Sequence, residues 1–184
     1  MTYLLVFLAS AAALSFAWAR RYFFVKTDST PKSRRGLGPL GTIFAILVLS
    51  SLALNGDAAD ENRASAAMLL FGVSLALFWR SVWEYRGRRP RIAFSGHGPG
   101  ELVTGGPYRL VRHPFYVAYM LFWIGGAVAV PNWLTISAIA VMGYLYFNAA
   151  RAEEAEIVDS PLGPIYEDYR RRTGMFFPRL IQRN

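Results

Sequence analysis

The chain has 184 residues, of which 54% are hydrophobic and 15% aromatic, and its formal net charge at pH 7 is +8. The hydrophobic residues form long blocks flanked by arginines, so the positive charge indicates contact with membrane lipids and not with nucleic acid. The sequence has no cysteine, which excludes disulfides, thiolate zinc sites and a cysteine nucleophile. With only two histidines, it also predicts no metal centre.

Five hydrophobic blocks predict an all-α integral membrane protein with five transmembrane helices. In chain order the predicted helices cover residues 3–19, 37–54, 64–83, 115–130 and 133–150. The first block ends in Arg20 and Arg21 and has no charge before it, which is typical of a span and not of a signal peptide. We expect one membrane domain over residues 1–184. It would comprise three N-terminal spans in 1–83, and a polar loop, a helical hairpin and a tail in 84–184.

The charges between the blocks predict the orientation of the chain. Residues 20–38 carry six bases and one acid, whereas residues 55–63 carry one base and three acids. Since basic connections stay on the cytoplasmic side, we expect the N-terminus outside and the loop 84–113 and the C-terminal tail in the cytoplasm.

Residues 105–116 combine a turn, charged groups and the start of a helix. The two glycines and the proline at 105–107 predict a turn, and Pro114 suits the first position of a helix, where its missing N–H costs nothing. His113 and the first amides of that helix should therefore face one pocket. A helix N-terminus attracts anions and the stretch contains two arginines, so it predicts a site for a small ligand with a carboxylate or phosphate.

The polar ends of the predicted hairpin should meet. An antiparallel arrangement of its two helices brings residues 105–116 and 151–154 to the same face of the membrane. Arg151 would then lie close to the paired carboxylates Glu153 and Glu154. A basic group beside carboxylates near membrane depth is a candidate functional site.

Simpler interpretations remain open for these residues. Arg109, Arg112 and the run 170–172 could be anchors at the cytoplasmic face, and Arg80 could extend along its helix to reach lipid headgroups. His113 could cap a helix or pack at the interface, and Glu153 and Glu154 could begin a solvated amphipathic tail. The other histidine, His97, is expected in a loop.

Three motifs resemble those of a known family. Residues 102–108 (Leu-Val-Thr-Gly-Gly-Pro-Tyr) and 111–116 (Val-Arg-His-Pro-Phe-Tyr) resemble the central signature of the isoprenylcysteine carboxyl methyltransferase and phospholipid methyltransferase families. Residues 151–154 (Arg-Ala-Glu-Glu) resemble the arginine and paired-glutamate motif that follows the last hairpin of these families. The tail is similar at Gly163, Tyr166, Tyr169, Thr173 and Pro178. The resemblance covers about residues 75 to 180, with the motifs in order.

The resemblance implies an integral membrane methyltransferase that uses S-adenosylmethionine to methylate a lipophilic small molecule or a lipid-modified substrate. It implies a site facing the cytoplasm, in the plasma membrane of a bacterium or the endoplasmic reticulum of a eukaryote, with the acceptor entering sideways from the bilayer. The implied cofactor-binding residues are Leu102, Val103, Tyr108, Arg112, His113, Pro114, Tyr116, Glu153 and Glu154. The implied catalytic residues, Arg80 and Arg151, would orient the acceptor, and no metal is implied. One departure is Ala118, where the family often has glycine.

Two other classes of protein remain open. Membrane sterol reductases have a related C-terminal architecture and use a nicotinamide cofactor, whose phosphates would also suit these arginines. A non-catalytic membrane protein could instead keep the cofactor pocket for sensing or assembly. Binding of NADPH would indicate the first, and binding of the methyl donor without turnover would indicate the second.

Overall fold

A computed structural model describes residues 1–24, 37–85 and 102–179 of the chain. In these ranges the α-helices are α1 (Thr2–Trp18), α2 (Leu37–Asn55), α3 (Glu61–Glu84), α4 (Pro114–Ala129), α5 (Trp133–Val158) and α6 (Gly163–Arg172). A π-helical turn, Ala19–Phe23, extends α1. The described ranges contain no β-sheet, only one isolated bridge between Val111 and Gly174, so the all-α prediction is confirmed for them. The predicted loop residue His97 lies outside the described residues.

Four helices of the described part are long and apolar enough to cross a membrane: α1 with its π-helical extension, α2, α3 and α5. Helix α4 is equally apolar in character but has 16 residues. At 1.5 Å of rise per residue that corresponds to about 24 Å, short of a hydrocarbon core of about 30 Å. The helices therefore fit an integral membrane protein, and a fifth span stays a prediction.

The predicted hairpin is formed by α4 and α5. The Asn132 side chain caps α5 by accepting from the amides of Leu134 and Thr135, both at 3.0 Å, which satisfies donors that the first turn leaves open. Helix α5 continues beyond the predicted end at Ala150 because neither glycine nor proline occurs between Ala150 and Pro161. Residues 151–154 therefore lie inside a helix and not at the start of a loop.

Glycines allow α4 to pack closely against its neighbours. A Cβ on Gly125 would lie 2.9 Å from the Phe71 ring of α3, and one on Gly126 would lie 2.7 Å from the Val48 side chain of α2. The buried Ser74 hydroxyl adds a hydrogen bond of 2.7 Å from α3 to the carbonyl of Ala118. These contacts fix the position of α4, and thereby of the His-Pro sequence at its start.

The tail folds back onto residues 105–113. The amides of Arg112 and His113 donate to the carbonyls of Gly174 (2.8 Å) and Met175 (3.2 Å). The predicted turn is present as well: Gly106 has a φ of 52°, a conformation that glycine adopts without strain. The sequence before α4 is thus held between α3 on one side and the tail on the other.

Candidate functional site

A cavity of ≈ 670 Å³ lies where α1, α2, α4 and α5 meet the segment before α4 and the tail. Its polar end is lined by Tyr108, Arg112, His113, Tyr116, Glu153, Tyr166 and Tyr169. Its other end is lined by small and apolar residues of α1 and α2, with two hydroxyls among them: Ser10, Ala13, Leu14, Ala17, Gly41, Thr42, Ala45, Ile46 and Leu49. One cavity therefore joins a polar group of residues to the apolar interior of the helix bundle.

His113 bridges the two glutamates of α5. Its Nε2 lies 3.0 Å from Oε1 of Glu154, and its Nδ1 lies 3.5 Å from Oε2 of Glu153. Only the charged imidazolium has a proton on both nitrogens, so this arrangement favours protonated His113. The predicted meeting of the His-Pro sequence with the glutamate pair is thus present in the structure.

Arg112 and Glu154 form a buried ion pair in which both side chains are 7% exposed. Nε of Arg112 donates to one carboxylate oxygen at 2.8 Å and Nη2 to the other at 3.2 Å, the bidentate geometry that suits a guanidinium. Nη1 donates to the carbonyls of Thr173 and Arg170 in the tail. This pair joins α5, the start of α4 and the tail. The guanidinium donates its hydrogen bonds to groups of the protein itself.

Glu153 faces the cavity, whereas Glu154 does not line it. The Tyr116 hydroxyl donates to Glu153 Oε1 at 2.5 Å. The Tyr116 ring lies between two others, stacked 5.6 Å from His113 and 5.2 Å from Tyr146. The Glu153 carboxylate thus lies beside a stack of three rings at the polar end of the cavity.

The structure brings most of the predicted cofactor residues together. All of them except Glu154 line the cavity, namely Leu102, Val103, Tyr108, Arg112, His113, Pro114, Tyr116 and Glu153. The two arginines predicted to be catalytic do not line it. Arg80 pairs with Glu84 at 2.7 Å with its side chain 51% exposed, and the Arg151 guanidinium lies 5.9 Å from the centre of the Phe147 ring.

Several cavity residues were missed by the sequence analysis. Tyr146 precedes Glu153 by seven residues on α5 and thus shares its helix face, a spacing that could have identified it. Tyr166 and Tyr169 were noted in the tail but not assigned to the site, since only the folded tail brings them to the cavity. No sequence signal distinguished Arg20 from Arg21 at the end of the first hydrophobic block.

Two opposed effects set the pKa of His113. Burial lowers it, but hydrogen bonds to Glu153 and Glu154 outweigh burial and raise the pKa above 6.5. A pKa raised in the folded state means that protonated His113 stabilises the fold fully below the unfolded-state pKa. That stabilisation is lost as the pH rises through the folded-state value.

We therefore expect the midpoint of thermal unfolding to fall as the pH rises from 6.5 through the raised pKa of His113. His113→Gln should lose this decrease, because its amide does not titrate. His97→Gln is the matched control and should keep the wild-type profile. Equal pH profiles for wild type and His113→Gln, measured from pH 6 to 9 by scanning fluorimetry, would show that His113 does not carry a stabilising charge.

Burial also raises the pKa of Tyr108, well above 10.0. Its hydroxyl therefore stays protonated and acts as a neutral hydrogen-bonding group. The Tyr108 carbonyl accepts from Tyr169 at 2.6 Å, which joins the predicted turn to α6. Among the described residues there is no cluster of three or more histidine, cysteine or acidic side chains arranged to hold a metal ion.

The family model for phospholipid methyltransferases matches residues 62–163. This match covers more than half of the chain, and it includes α3, the α4–α5 hairpin and the three cavity residues His113, Tyr116 and Glu153. The chain therefore belongs to the phospholipid methyltransferase family, as the motifs predicted.

Proteins similar to this chain carry names of different kinds, one for metal resistance and two for methyl transfer. The nickel-cobalt-cadmium resistance protein NccN of Alcaligenes xylosoxydans xylosoxydans is 34% identical over 73% of this chain, and the match covers 61% of that relative. Methanethiol S-methyltransferase of a Pseudomonas species is 37% identical over 60% of this chain and 42% of its own. The protein-S-isoprenylcysteine O-methyltransferase of Schizosaccharomyces pombe is 29% identical over 42% of this chain and 33% of its own. The chain thus spans about three fifths, or less, of these relatives.

Proposed function

We propose that this protein is a membrane methyltransferase that uses S-adenosylmethionine and acts on a lipophilic acceptor. The observation that supports this function most is the single cavity that joins Glu153, His113 and Tyr116 to the apolar faces of α1 and α2. A polar, charged donor and a lipophilic acceptor could meet in such a cavity. Membership of the phospholipid methyltransferase family supports the same reaction class.

The residues at the polar end fit S-adenosylmethionine. When bound, it supplies a methyl group on a positively charged sulfonium. The Glu153 carboxylate at the polar end of the cavity can accept hydrogen bonds from the amino group or the ribose hydroxyls of this molecule. The first turn of α4 offers backbone amides without intrahelical partners to the carboxylate of the methionine moiety.

The residues of the chain would contribute mainly by holding two reactants in place. Alignment of donor and acceptor can supply a large share of the acceleration of a bimolecular reaction. Glu154 and Arg112 would fix the framework, because both are buried and paired with each other. Glu153 would contact the ligands, because its carboxylate lines the cavity.

The apolar end of the cavity favours an acceptor that partitions into the bilayer. Side chains such as Ala13, Ala45 and Leu49 offer no charge there, so a strongly polar acceptor would lose hydration without compensation. The relatives named as methyltransferases act on sulfur in one case and on oxygen in the other. Both kinds of atom are therefore included in the proposed acceptor class.

Orientation is part of the proposal: five spans, the N-terminus outside and the cofactor site in the cytoplasm. It predicts that a cysteine replacing Glu61, the first residue of α3, is labelled by a membrane-impermeant maleimide from outside intact cells. A cysteine replacing Arg171, on α6, should react only after permeabilisation. The chain has no native cysteine to interfere. The reverse labelling pattern would show that the orientation is wrong.

The proposed function is tested by incubating the purified protein in nanodiscs with tritium-labelled S-adenosylmethionine and a membrane-lipid extract. We expect label to enter the organic phase in proportion to the amount of protein. Binding of S-adenosylhomocysteine without any label transfer to lipid or thiol acceptors would instead indicate a non-catalytic cofactor-binding protein.

A further inference from the structure

We propose that Arg20 binds a carboxylate or phosphate group of a ligand inside the cavity. Arg20 follows α1 and lines the cavity together with Phe24 of the same connection and Gly38 of α2. The sequence places it next to Arg21 at the end of a hydrophobic block, where both would be interpreted as anchors. The structure distinguishes the two arginines, because Arg21 does not line the cavity and its guanidinium lies 5.4 Å from the Tyr22 ring.

The backbone at Arg20 departs from a regular α-helix. Residues Ala19–Phe23 form a π-helical turn, a feature that occurs frequently at functional sites because it redirects side chains. Phe23 and Phe24 anchor this turn on Phe115 of α4, with ring centres 6.1 and 5.3 Å apart. The turn that carries Arg20 is therefore packed against the helix that begins with the His-Pro sequence.

Gly38 leaves the space that the Arg20 side chain occupies. A Cβ on Gly38 would lie 3.1 Å from Nη1 and 3.5 Å from Cδ of Arg20. The arginine thus extends across the gap between α1 and α2, with its guanidinium against the backbone of the neighbouring helix. It lies at the same end of α2 as the lining residues Leu37 and Gly41.

Arg20 has a capacity to bind anions that Arg112 lacks. Arg112 also lines the cavity, but four contacts from its five N–H donors go to Glu154 and to the carbonyls of Thr173 and Arg170. Within the described ranges, no carboxylate forms an ion pair with Arg20. Arg20 is an exposed residue that also lines the cavity, so its guanidinium is accessible to a ligand there, and its planar set of donors suits a carboxylate or phosphate.

Two ligands could supply this oxyanion, and the choice of both rests on the proposed function. One is an acceptor with an acidic group whose apolar part lies along α1 and α2. The other is the carboxylate of the methionine moiety of S-adenosylmethionine. Both require the same chemistry from Arg20, so direct binding measurements must separate them.

The test compares Arg20→Gln, Arg20→Lys and the matched control Arg21→Gln in nanodiscs of neutral lipid. Binding of radiolabelled decanoate and decanol is measured by scintillation proximity, and binding of S-adenosylhomocysteine by calorimetry. If the acceptor supplies the oxyanion, Arg20→Gln should weaken decanoate binding by about tenfold or more, the scale of a charge-assisted hydrogen bond. Decanol binding should not change, Arg20→Lys should retain part of the decanoate affinity, and Arg21→Gln should match wild type.

A loss of S-adenosylhomocysteine affinity in Arg20→Gln, with decanoate binding unchanged, would identify the cofactor carboxylate as the oxyanion. The proposal is overturned if Arg20→Gln binds all three probes as wild type does, if wild type binds neither decanoate nor S-adenosylhomocysteine, or if Arg21→Gln reproduces the loss. Decanoate binding that depends on Arg20, without any S-adenosylhomocysteine binding to wild type, would reject the proposed function but not the oxyanion site.

Discussion

Replacing Glu154 by alanine is expected to cause the largest loss of stability of any single substitution in the site. It leaves the Arg112 guanidinium buried without its carboxylate. Removing one partner of a buried ion pair typically costs about 3–5 kcal/mol. His113 loses its 3.0 Å partner as well. We expect the midpoint of thermal unfolding to fall sharply and binding of S-adenosylhomocysteine to be lost with it.

The double variant Arg112→Leu/Glu154→Leu separates stability from ligand binding. Apolar residues in place of both charges should restore part of the lost stability, because replacing a whole buried pair is often neutral or stabilising. The Thr173 carbonyl and the Nε2 of His113 still lose a partner, so the recovery should be incomplete. Affinity for S-adenosylhomocysteine should stay low, since the start of α4 and the tail lose the group that joins them. A wild-type unfolding midpoint in Glu154→Ala would contradict the structural role of the pair.

Replacing Glu153 by glutamine is expected to weaken ligand binding with little loss of stability, in contrast to Glu154→Ala. Its carboxylate lines the cavity and accepts from Tyr116, and glutamine preserves its size while removing its charge. Affinity for S-adenosylhomocysteine should fall about tenfold or more, as for the loss of a charge-assisted hydrogen bond. Calorimetry gives the affinity, and the unfolding midpoint should change much less than in Glu154→Ala.

Matched control variants accompany the prediction for Glu153→Gln. Glu167→Gln removes a carboxylate that pairs with Arg170 on the exposed face of α6 and should leave binding unchanged. Tyr116→Phe removes the hydroxyl that holds Glu153 and should weaken binding, whereas Tyr144→Phe, on an exposed face of α5, should not. Wild-type affinity in Glu153→Gln would remove this carboxylate from the ligand site.

Local chemistry explains which parts of the site could be predicted from the sequence. The turn at 105–107, the helix start at Pro114 and the short hairpin connection depend on glycine, proline and asparagine at specific positions, so sequence was sufficient for them. The pairing of His113 with the glutamates followed from the hairpin geometry. The different environments of Glu153 and Glu154 could not be predicted, because adjacent helical residues differ by about 100° in direction and only the packed tail decides which one is buried.

The apolar end of the cavity could not be predicted. It depends on a gap between α1 and α2, and neither helix carries a family motif. The roles predicted for Arg80 and Arg151 remain predictions, and both side chains lie outside the cavity lining. Arg80 contacts the backbone near Gly106, where a Cβ would lie 3.0 Å from its Nη2. This position is compatible with a role in holding the turn of the site.

The most direct test of the central claim is a calorimetric titration of wild type and Glu153→Gln with S-adenosylhomocysteine and, separately, with NADPH. We expect wild type to bind S-adenosylhomocysteine and Glu153→Gln to bind it with an affinity reduced by about tenfold or more. Neither protein should bind NADPH. Binding of NADPH by wild type, with no heat from S-adenosylhomocysteine, would contradict the assignment and indicate a membrane reductase instead.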